Sequence, residues 1–407
     1  MNNYKTKTMA KQPLNFLCIC TYFKGADFLK SCKADGNNVF LLTKKKLEHE
    51  PWPWEAIDET FYIEEWNQDD VAKGIAYKFR SIKFDRFVAL DDFDVEKVAL
   101  LREHFRMPGM GRTTAHYFRD KLAMRMKAKD EGVNVPEFSD LFNDQTINDY
   151  ADRVSPPWLI KPRMEASATG IKKIHSKDEL WEVVHSLGDE RDGYLVEKFA
   201  PGDVYHVDGL NVDGKVAFSR VSKYLDTPFE VAHGGGIFRS ATCEIGSKIE
   251  KALQKMNKDV MKAFGMLFGA SHTEFIQSKS TGELFFLETS SRVGGANLAE
   301  MVEYASGVNL WSEWANVEVA NLRKVTYKLP KVNNTYAGIV VSLSRFEYPD
   351  TSSFTDREIV WRMNKAWHIG LIVVSDSSER VLELLDNYTE RIGKEFHASL
   401  PAPHKSE

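Results

Sequence analysis

The sequence predicts an α/β unit built on a parallel sheet, followed by α+β units built on antiparallel sheets. Early in the chain, apolar strand-like segments alternate with helical ones, which indicates parallel strands joined by right-handed crossovers. Farther along, strand-like segments follow one another directly, with tight-turn pairs such as Asp213-Gly214 between them, which favours hairpins. A chain of 407 residues is also too long for one core, so we expect two to four subdomains.

The elements of the parallel unit follow from short apolar runs. The segments "NFLCICTY" and "NNVFLLT" are predicted strands, with a helix over residues 26–34 between them. "RFVALDDFD" is a third strand that ends in acidic residues, and "VEKVALLREHF" follows it as a helix. From Thr114 one continuous helix is predicted through "AHYFRDKLAMRMKAKDE", ending at Gly132, a residue type that favours helix C-caps.

Antiparallel strands dominate the middle of the chain. "NVPEF" and "PPWLIKPR" are predicted strands, and the helix "SKDELWEVVHSLG" follows them. "YLVEKFAPGD", "VYHVDGLNVDGKVAFSRVSKY" and "SHTEFIQSKSTGELFFLETSSR" are further strands, with the amphipathic helix "IEKALQKMNKDVMKAFGML" before the last of them. After residue 320 we expect another α+β unit, with a strand, a turn and a helix in "HIGLIVVSDSSERVLELLDNYTERI".

Composition narrows the functional class. Hydrophobic residues make up 43% of the chain and aromatic residues 12%, which is enough for folding, so global disorder is not expected. The net charge of -5 gives no general attraction for nucleic acid, and no apolar stretch is long enough to span a membrane. Four cysteines without a C-x-x-C pair suit a reducing compartment and argue against a zinc module. We therefore expect a cytoplasmic protein.

One predicted hairpin brings two acidic residues together. "TEFIQSK" and "ELFFLET" flank the turn at residues 280–282, and a turn centred on its middle residue places Glu274 opposite Glu288. Period-two alternation adds three more side chains to the same face, those of His272, Ser290 and Arg292. Neighbouring carboxylates repel each other, and a cation between them offsets this repulsion. The pair therefore predicts a magnesium site with an arginine nearby. Two unconnected acids on a solvated face are the alternative.

Two lysines are candidates for phosphate binding. Lys161 ends the apolar strand "WLIKPR" where the chain enters "MEASATG", a loop of small residues that lets backbone N–H groups approach a phosphate. Lys121 lies on a predicted helix in "DKLAMR", with Arg125 one turn further on. Taken singly, an ordinary surface turn and an exposed helix face explain these two segments as well.

Taken in chain order, five segments resemble one family. "DKLAMR", "LIKPRMEASATG", "LVEKFAPGD", "HTEF" and "FLETSSRVGG" are similar to the successive nucleotide-binding segments of the ATP-grasp ligases. The resemblance implies an ATP-grasp fold with an N-terminal Rossmann-like pre-ATP-grasp domain. The implied divisions are the pre-ATP-grasp domain (1–113), the small ATP-grasp subdomain or N-terminal lobe (114–190), the large subdomain or C-terminal lobe (191–320) and a C-terminal α+β unit (321–407).

The resemblance also implies roles for individual residues. Two lysines would hold the phosphates of ATP, Lys121 and Lys161. A mobile loop would lie over them, with Ser167, Ala168 and Gly170. The hinge that meets the adenine matches Glu197, Lys198 and Phe199. The ribose-binding position matches either Asp203 or His206.

The same resemblance assigns the metal ligands and the catalytic groups. Magnesium, or manganese in its place, would be bound by Glu274, Glu288 and Ser290. Ser290 is a departure, because the family often has asparagine there, a stronger ligand. The catalytic residues would be Arg292, which stabilises the transferring phosphoryl group, and Lys161.

The implied reaction is an ATP-dependent, ADP-forming ligation. A small, amino-acid-like carboxylate becomes an acyl phosphate, and an amine then displaces phosphate. Neither a membrane nor a nucleic-acid partner is expected, and a homodimer is left open. The alternatives are a phosphotransferase, which stops after phosphorylating its acceptor, and a non-catalytic nucleotide-binding protein.

Three residues are weaker candidates for substrate binding. Arg239 follows the flexible glycine run 234–236 and could pair with a substrate carboxylate, or it could be an exposed arginine in a long hairpin connection. Asp91 and Asp92 lie at the carboxyl end of a predicted parallel strand, where α/β sheets usually bind ligands. They could attract an amine or cap the following helix.

Overall fold

The structure of the chain is a computed structural model that describes residues 12–166 and 168–399, without the side chains of residues 232–234. The chain divides into two compact units. Within the described ranges, no helix combines the length and the apolar composition that crossing a membrane requires.

The first unit comprises the chain up to Arg112 together with Trp314–Tyr327. Its strands are β1 (Asn15–Cys20), β2 (Asn38–Lys44), β3 (Glu59–Ile63) and β4 (Arg86–Ala89), and its helices include α1 (Ala26–Ala34), α2 (Gln68–Lys78) and α3 (Val95–Phe105). The strands pair in parallel in the order β3-β2-β1-β4. β1, β2 and β4 are buried along most of their length, which explains their continuous apolar sequences. The predicted parallel sheet is confirmed.

The second unit comprises Thr113–Glu313 and the chain from Lys328, and it contains two antiparallel sheets. The helices of this part of the chain are α4 (Arg112–His116), α5 (Lys121–Asp130), α6 (Asp144–Arg153) and α7 (Lys177–Leu187). The strands of the smaller sheet are β5 (Phe138–Asp140), β6 (Trp158–Pro162), β7 (Lys172–Ile174) and β8 (Tyr194–Lys198). They lie in the order β5-β8-β6-β7. Trp158 and Val196 of this sheet pack with Leu180 of α7 in one apolar core.

The larger sheet has eight antiparallel strands. They are β9 (Gly202–Val212), β10 (Lys215–Tyr224), β11 (Phe238–Thr242), β12 (Gly269–Ser278), β13 (Leu284–Ser290), β14 (Tyr336–Leu343), β15 (Ile359–Arg362) and β16 (His368–Ser375). Their order is β13-β12-β9-β10-β11-β14-β16-β15, so β13 and β15 are the edge strands. The helices of this part of the chain are α8 (Pro228–Gly234), α9 (Lys248–Phe264), α10 (Leu298–Ser306), α11 (Leu310–Leu322) and α12 (Ser378–Glu395), and α11 from Trp314 onward belongs to the first unit.

The larger sheet continues across the predicted division at residue 320. β14 pairs with β11, and β16 pairs with β14, so the strands after residue 320 extend the existing sheet. Helix α12 packs on these strands, and its Leu385 shares a core with Leu371 of β16 and Ala241 of β11. The strand and helix predicted in this segment are present as β16 and α12, but the sheet they complete begins far earlier in the chain.

The single helix predicted from Thr114 to Gly132 is wrong, because the structure has two helices there. Asp120 adopts an extended backbone between α4 and α5, and its side chain accepts hydrogen bonds from the backbone N–H groups of Leu122 and Ala123. An aspartate at this position is a favourable N-cap, so a new helix starts at Lys121. Asp120 is also ion-paired with Arg163, just beyond β6, which ties the start of α5 to the smaller sheet.

The glycine run at residues 234–236 ends a helix and is not a long flexible connection. Thr227 and Glu230 form a reciprocal capping box at the start of α8, with Pro228 in its first turn. Gly235 then ends the helix in the left-handed conformation at φ 61°, which favours glycine. The chain continues directly into β11.

The outer edge of β13 is covered by polar contacts. The backbone N–H of Phe286 donates to the carbonyl of Asn134 at 2.8 Å, and Asn134 Nδ2 donates to the carbonyl of Leu284 at 2.9 Å. These bonds satisfy backbone groups that an edge strand leaves open.

We predict that Asp120→Ala lowers the free energy of unfolding by about 1–2 kcal/mol, because the start of α5 loses its cap and Arg163 loses its carboxylate. Asp120→Asn should recover part of this loss, because an amide oxygen still caps the helix. Urea denaturation followed by circular dichroism measures both variants. An alanine variant as stable as the wild type would show that the cap is not needed.

Candidate functional site

The two predicted phosphate-binding lysines are both largely buried, and each is held by a carboxylate. Lys121 begins α5, and its Nζ lies 2.9 Å from Glu288 Oε2 and donates to the carbonyl of Glu165 at 2.5 Å. Lys161 stands in β6 and forms an ion pair with Glu197 of β8. Because these contacts already fix the ammonium groups, little side-chain entropy is left to lose when an anion binds.

Glu288 lies where several positive charges converge. Burial by itself raises its pKa, whereas nearby cations lower it to about 2. In order of decreasing effect, these cations are Lys121, Lys161 and Arg125. The carboxylate is therefore ionised at neutral pH, and the structure brings both predicted lysines around it.

The β12–β13 hairpin places Glu274 opposite Glu288, as the sequence predicts. The prediction assumed one continuous register from the turn to this pair. In the structure Phe275 pairs with Phe286 nearer the turn, and the pairing then skips Leu287 before Glu274 meets Glu288. A continuous register from that turn would have put Leu287 opposite Glu274. The β-bulge at Leu287 shifts the strand by one residue and restores the acidic pair.

The acidic pair has the chemistry of a divalent cation site. Glu274 Oε1 accepts a hydrogen bond from Tyr224 Oη at 2.8 Å, so the protein fixes the direction of this carboxylate. Ser290 pairs with His272 two positions beyond the acids and adds a hydroxyl oxygen. Both carboxylates are partly exposed, at 15% and 32% of their side-chain area. Partly exposed oxygen donors with two negative charges fit Mg²⁺ or Mn²⁺.

A buried His–Asp–His group lies beside the acidic pair. Asp208 Oδ2 is 2.6 Å from His206 Nδ1, and Asp208 Oδ1 is 2.8 Å from His272 Nδ1. These separations are hydrogen-bond lengths, shorter than the roughly 3.3 Å between two ligands of a tetrahedral zinc ion. Burial alone lowers the pKa of His272, but Asp208, followed by Glu274, raises it to about 9. The group is an ion-paired network, and it neutralises the buried Asp208.

Gly294 packs directly on this network. A Cβ atom at this position would lie 2.7 Å from Asp208 Oδ1 and 3.0 Å from His272 Nδ1. The loop that follows β13 can therefore approach the network only with a glycine here.

The side chain of Glu197 faces the protein interior and not a ligand. It is 1% exposed and is held by Lys161 and Arg125. Burial raises the pKa of Glu197, but Arg125, followed by Lys161, lowers it below its usual value. The side chain of this predicted hinge residue is thus engaged in supporting Lys161.

The next two hinge residues are also partly committed. The backbone N–H of Lys198 donates to Glu137, and that of Phe199 donates to Pro157. The Lys198 ammonium donates to the carbonyl of Pro156 at 3.1 Å. These two backbone N–H groups are therefore already bonded within the protein.

The small-residue loop after β6 turns sharply. Ala168 and Gly170 both have positive φ values, 57° and 72°, and a Cβ at Gly170 would lie 2.9 Å from Pro162 Cγ. Gly170 is therefore required by the turn and by its close approach to β6. Ser167, which was predicted to belong to the same loop, lies outside the described residues.

The two alternatives for ribose binding differ in accessibility. His206 is fully buried, and its Nε2 lies 2.7 Å from Ser240 Oγ while its Nδ1 contacts Asp208. Asp203 has 38% of its side chain exposed and is paired with Lys223 at 2.8 Å. Of these two residues, only Asp203 has its side chain at the surface.

Two predicted arginines have different surroundings. Arg292 lies just beyond β13, and its Nη1 donates to the carbonyl of Val293 at 2.8 Å. Arg239 lies in β11, where it is ion-paired with Asp226 and Asp386, each at 2.8 Å. The structure thus holds Arg239 by two carboxylates of the protein.

Asp91 and Asp92 belong to the first unit. Asp91 is fully buried, lies 2.5 Å from Lys24 Nζ and caps the backbone N–H of Phe93. Asp92 is 6% exposed. Asp91 thus caps the short helical turn 92–94 that precedes α3, and its charge is balanced by Lys24.

Sequence reasoning gave no role to three residues that organise the site, namely Arg125, Tyr224 and Asp208. Arg125 had a local signal, since it stands one helical turn after Lys121. Tyr224 and Asp208 gave none, because their contacts depend on strands that are brought together only by folding.

Comparisons with known proteins show which families and enzymes this chain is similar to in sequence. The family model for the ATP-grasp domain matches residues 126–296. An L-arginine-specific L-amino acid ligase from Bacillus subtilis is 26% identical over 269 residues, 64% of this chain and 64% of that protein. A D-alanine–D-alanine ligase from Prosthecochloris aestuarii is 24% identical over 235 residues, 52% of this chain and 63% of that protein. The chain therefore spans just under two thirds of these relatives.

Solved structures share the overall fold. The crystal structure of an L-amino acid ligase from Bacillus licheniformis superposes with a TM-score of 0.76 at 18% identity, covering 95% of this chain and 98% of that one. An N5-carboxyaminoimidazole ribonucleotide synthetase from Thermotoga maritima gives a TM-score of 0.70 at 14% identity, covering 94% and 99%. At these identities the similarity establishes the fold.

We predict that Gly294→Ala lowers the free energy of unfolding by about 1–3 kcal/mol, because its methyl group would displace Asp208 or His272. Gly295→Ala is the matched control. Its Cβ would lie 3.9 Å from Arg292 Nη1, an ordinary contact, so its effect should stay within about 0.5 kcal/mol. Equal urea midpoints for the two variants would show that the close approach of Gly294 to Asp208 and His272 does not affect stability.

Proposed function

We propose, from the match of the ATP-grasp domain model to residues 126–296, that this chain is an ATP-dependent, ADP-forming ligase of that family. It joins a small carboxylate, such as an amino acid, to an amine. The ligases among its relatives act on amino acids according to their names, which supports this substrate class. A cytoplasmic location and a homodimeric state belong to the same proposal.

The observation that carries the proposal is the arrangement around Glu288. Lys121 lies 2.9 Å from this carboxylate, and Glu274 faces it across the hairpin. Lys161 also lowers the pKa of Glu288. Alternating fixed charges of this kind suit phosphoryl transfer, in which catalysis consists mainly of positioning and charge neutralisation.

In the proposed reaction, the lysines hold the phosphate oxygens of ATP. A substrate carboxylate attacks the terminal phosphorus, the bond to the β-phosphate oxygen breaks, and ADP leaves. Arg292 covers the charge on the transferring phosphoryl group. The amine then attacks the acyl carbon and loses a proton, and inorganic phosphate departs. Because the phosphoryl group activates the acid, no nucleophilic side chain is needed.

Glu274 and Glu288, with the Ser290 hydroxyl, are the residues that would hold Mg²⁺ or Mn²⁺. The cation would supply positive charge to the phosphate oxygens. Ala168 and Gly170 form the turn proposed to cover those phosphates, and Asp203 is the surface carboxylate proposed for the ribose.

We predict that ATP, Mg²⁺ and a suitable amino acid, supplied with hydroxylamine in place of the amine, yield ADP and an acyl hydroxamate. The products are measured by chromatography of the nucleotides and by the iron–hydroxamate colour. AMP and pyrophosphate as the products would overturn the proposal. An acid that stimulates ADP release without hydroxamate formation would favour the phosphotransferase alternative.

We predict that Glu288→Gln reduces turnover by at least about a hundredfold while the protein stays folded, because it removes one charge from the acidic pair. Glu283→Gln on the exposed turn of the same hairpin is the control and should keep wild-type turnover. Thermal melting checks the fold. Wild-type turnover of Glu288→Gln at low Mg²⁺ would exclude a metal role for the pair.

A further inference from the structure

Arg125 joins the two sheets of the second unit. It lies on α5 one turn after Lys121 and is 1% exposed. Its Nε and Nη2 donate to Glu197 Oε2 of β8 at 3.0 and 2.9 Å. Its Nη1 donates to the carbonyl of Leu287 in β13, and the guanidinium carbon lies 5.9 Å from the centre of the Phe286 ring. One rigid side chain therefore bridges the smaller and the larger sheet.

The carbonyl that Arg125 binds belongs to the residue that the strand pairing skips. If the bulge at Leu287 were lost, side-chain alternation would turn Leu287 toward Glu274 and Glu288 toward the opposite face. A bulge leaves its extra residue outside the regular ladder, so it needs other contacts to persist. A charged donor to this carbonyl is a strong contact of that kind.

The other end of the guanidinium acts on Lys161. Glu197 receives Arg125 on Oε2 and Lys161 on Oε1. Because a buried carboxylate needs compensating charge, the two cations and the acid are fixed as a set. The position of Lys161 is thereby linked, through Glu197 and Arg125, to the strand that carries Glu288.

We propose that Arg125 is a positioning residue that holds the Leu287 bulge and so sets the Glu274–Glu288 pair in place relative to Lys161. It acts through Leu287 and Glu197 and has no direct contact with substrate. The inference rests on the proposed function, because it takes the acidic pair to be the cation site.

The guanidinium shape makes this role testable. Arg125→Lys preserves the charge beside Glu197, but a single ammonium lacks the planar fork that reaches both Glu197 and the Leu287 carbonyl. Arg125→Met removes the charge as well and leaves Glu197 with Lys161 alone. Lys129→Met is the control, because it removes one positive charge from an exposed position one turn further along α5.

The experiment measures Mn²⁺ binding to the full chain with ADP present, from the loss of the free Mn²⁺ signal in electron paramagnetic resonance. We expect Arg125→Lys and Arg125→Met to weaken Mn²⁺ binding by about tenfold or more, the typical cost of losing a group that orients a ligand. Lys129→Met should match the wild type. Thermal melting of each variant confirms that the measured protein is folded.

The possible results distinguish a failure of the inference from a failure of the proposed function on which it rests. A folded Arg125→Lys variant with wild-type Mn²⁺ affinity and a lower melting temperature would overturn the inference, because Arg125 would then only stabilise the fold. If Arg125→Met does not fold, the lysine variant decides. A wild-type chain that binds no Mn²⁺ with ADP would overturn the proposed function first, and the inference with it.

Discussion

The repulsion between Glu274 and Glu288 is the constraint on which the arrangement of the site depends. Two carboxylates facing each other across a hairpin disfavour the folded state unless other groups compensate. The compensation comes from separate parts of the chain: Lys121 at the start of α5, Lys161 in β6, and the Tyr224 hydroxyl in β10. Three separate elements of the second unit, α5, β6 and β10, therefore supply the positive charges and the hydrogen-bond donor that act on the acidic pair.

The sequence was sufficient to predict that Glu274 faces Glu288. It was not sufficient to predict the bulge that brings the two residues into register. Alternation along β12 and β13 and a recognisable turn sufficed to place Glu274 opposite Glu288. The bulge at Leu287 was not predictable, because the group that binds its carbonyl is Arg125, 162 residues earlier in the chain. The burial of Glu197 escaped prediction for the same reason.

In the fold as well, elements with a cause nearby in the sequence were predictable, and pairings between distant segments were not. β1, β2 and β4 were predictable because burial on both faces requires a continuous apolar sequence. The break before α5 was also encoded locally, in Asp120, although the apolar pattern concealed it. The pairing of β14 with β11 had no local signal, because nearly a hundred residues separate the partners and either strand could have paired elsewhere.

The position of β13 at the edge of its sheet has a consequence for the behaviour of many copies of the protein. An uncovered edge strand is a template on which another chain can add a strand. Asn134 and Arg125 bond to backbone groups of Leu284, Phe286 and Leu287 in β13 and so close this part of the edge. The Arg125 bond that holds the Leu287 bulge therefore has a second effect, because it also occupies a backbone group to which a strand of another chain could pair.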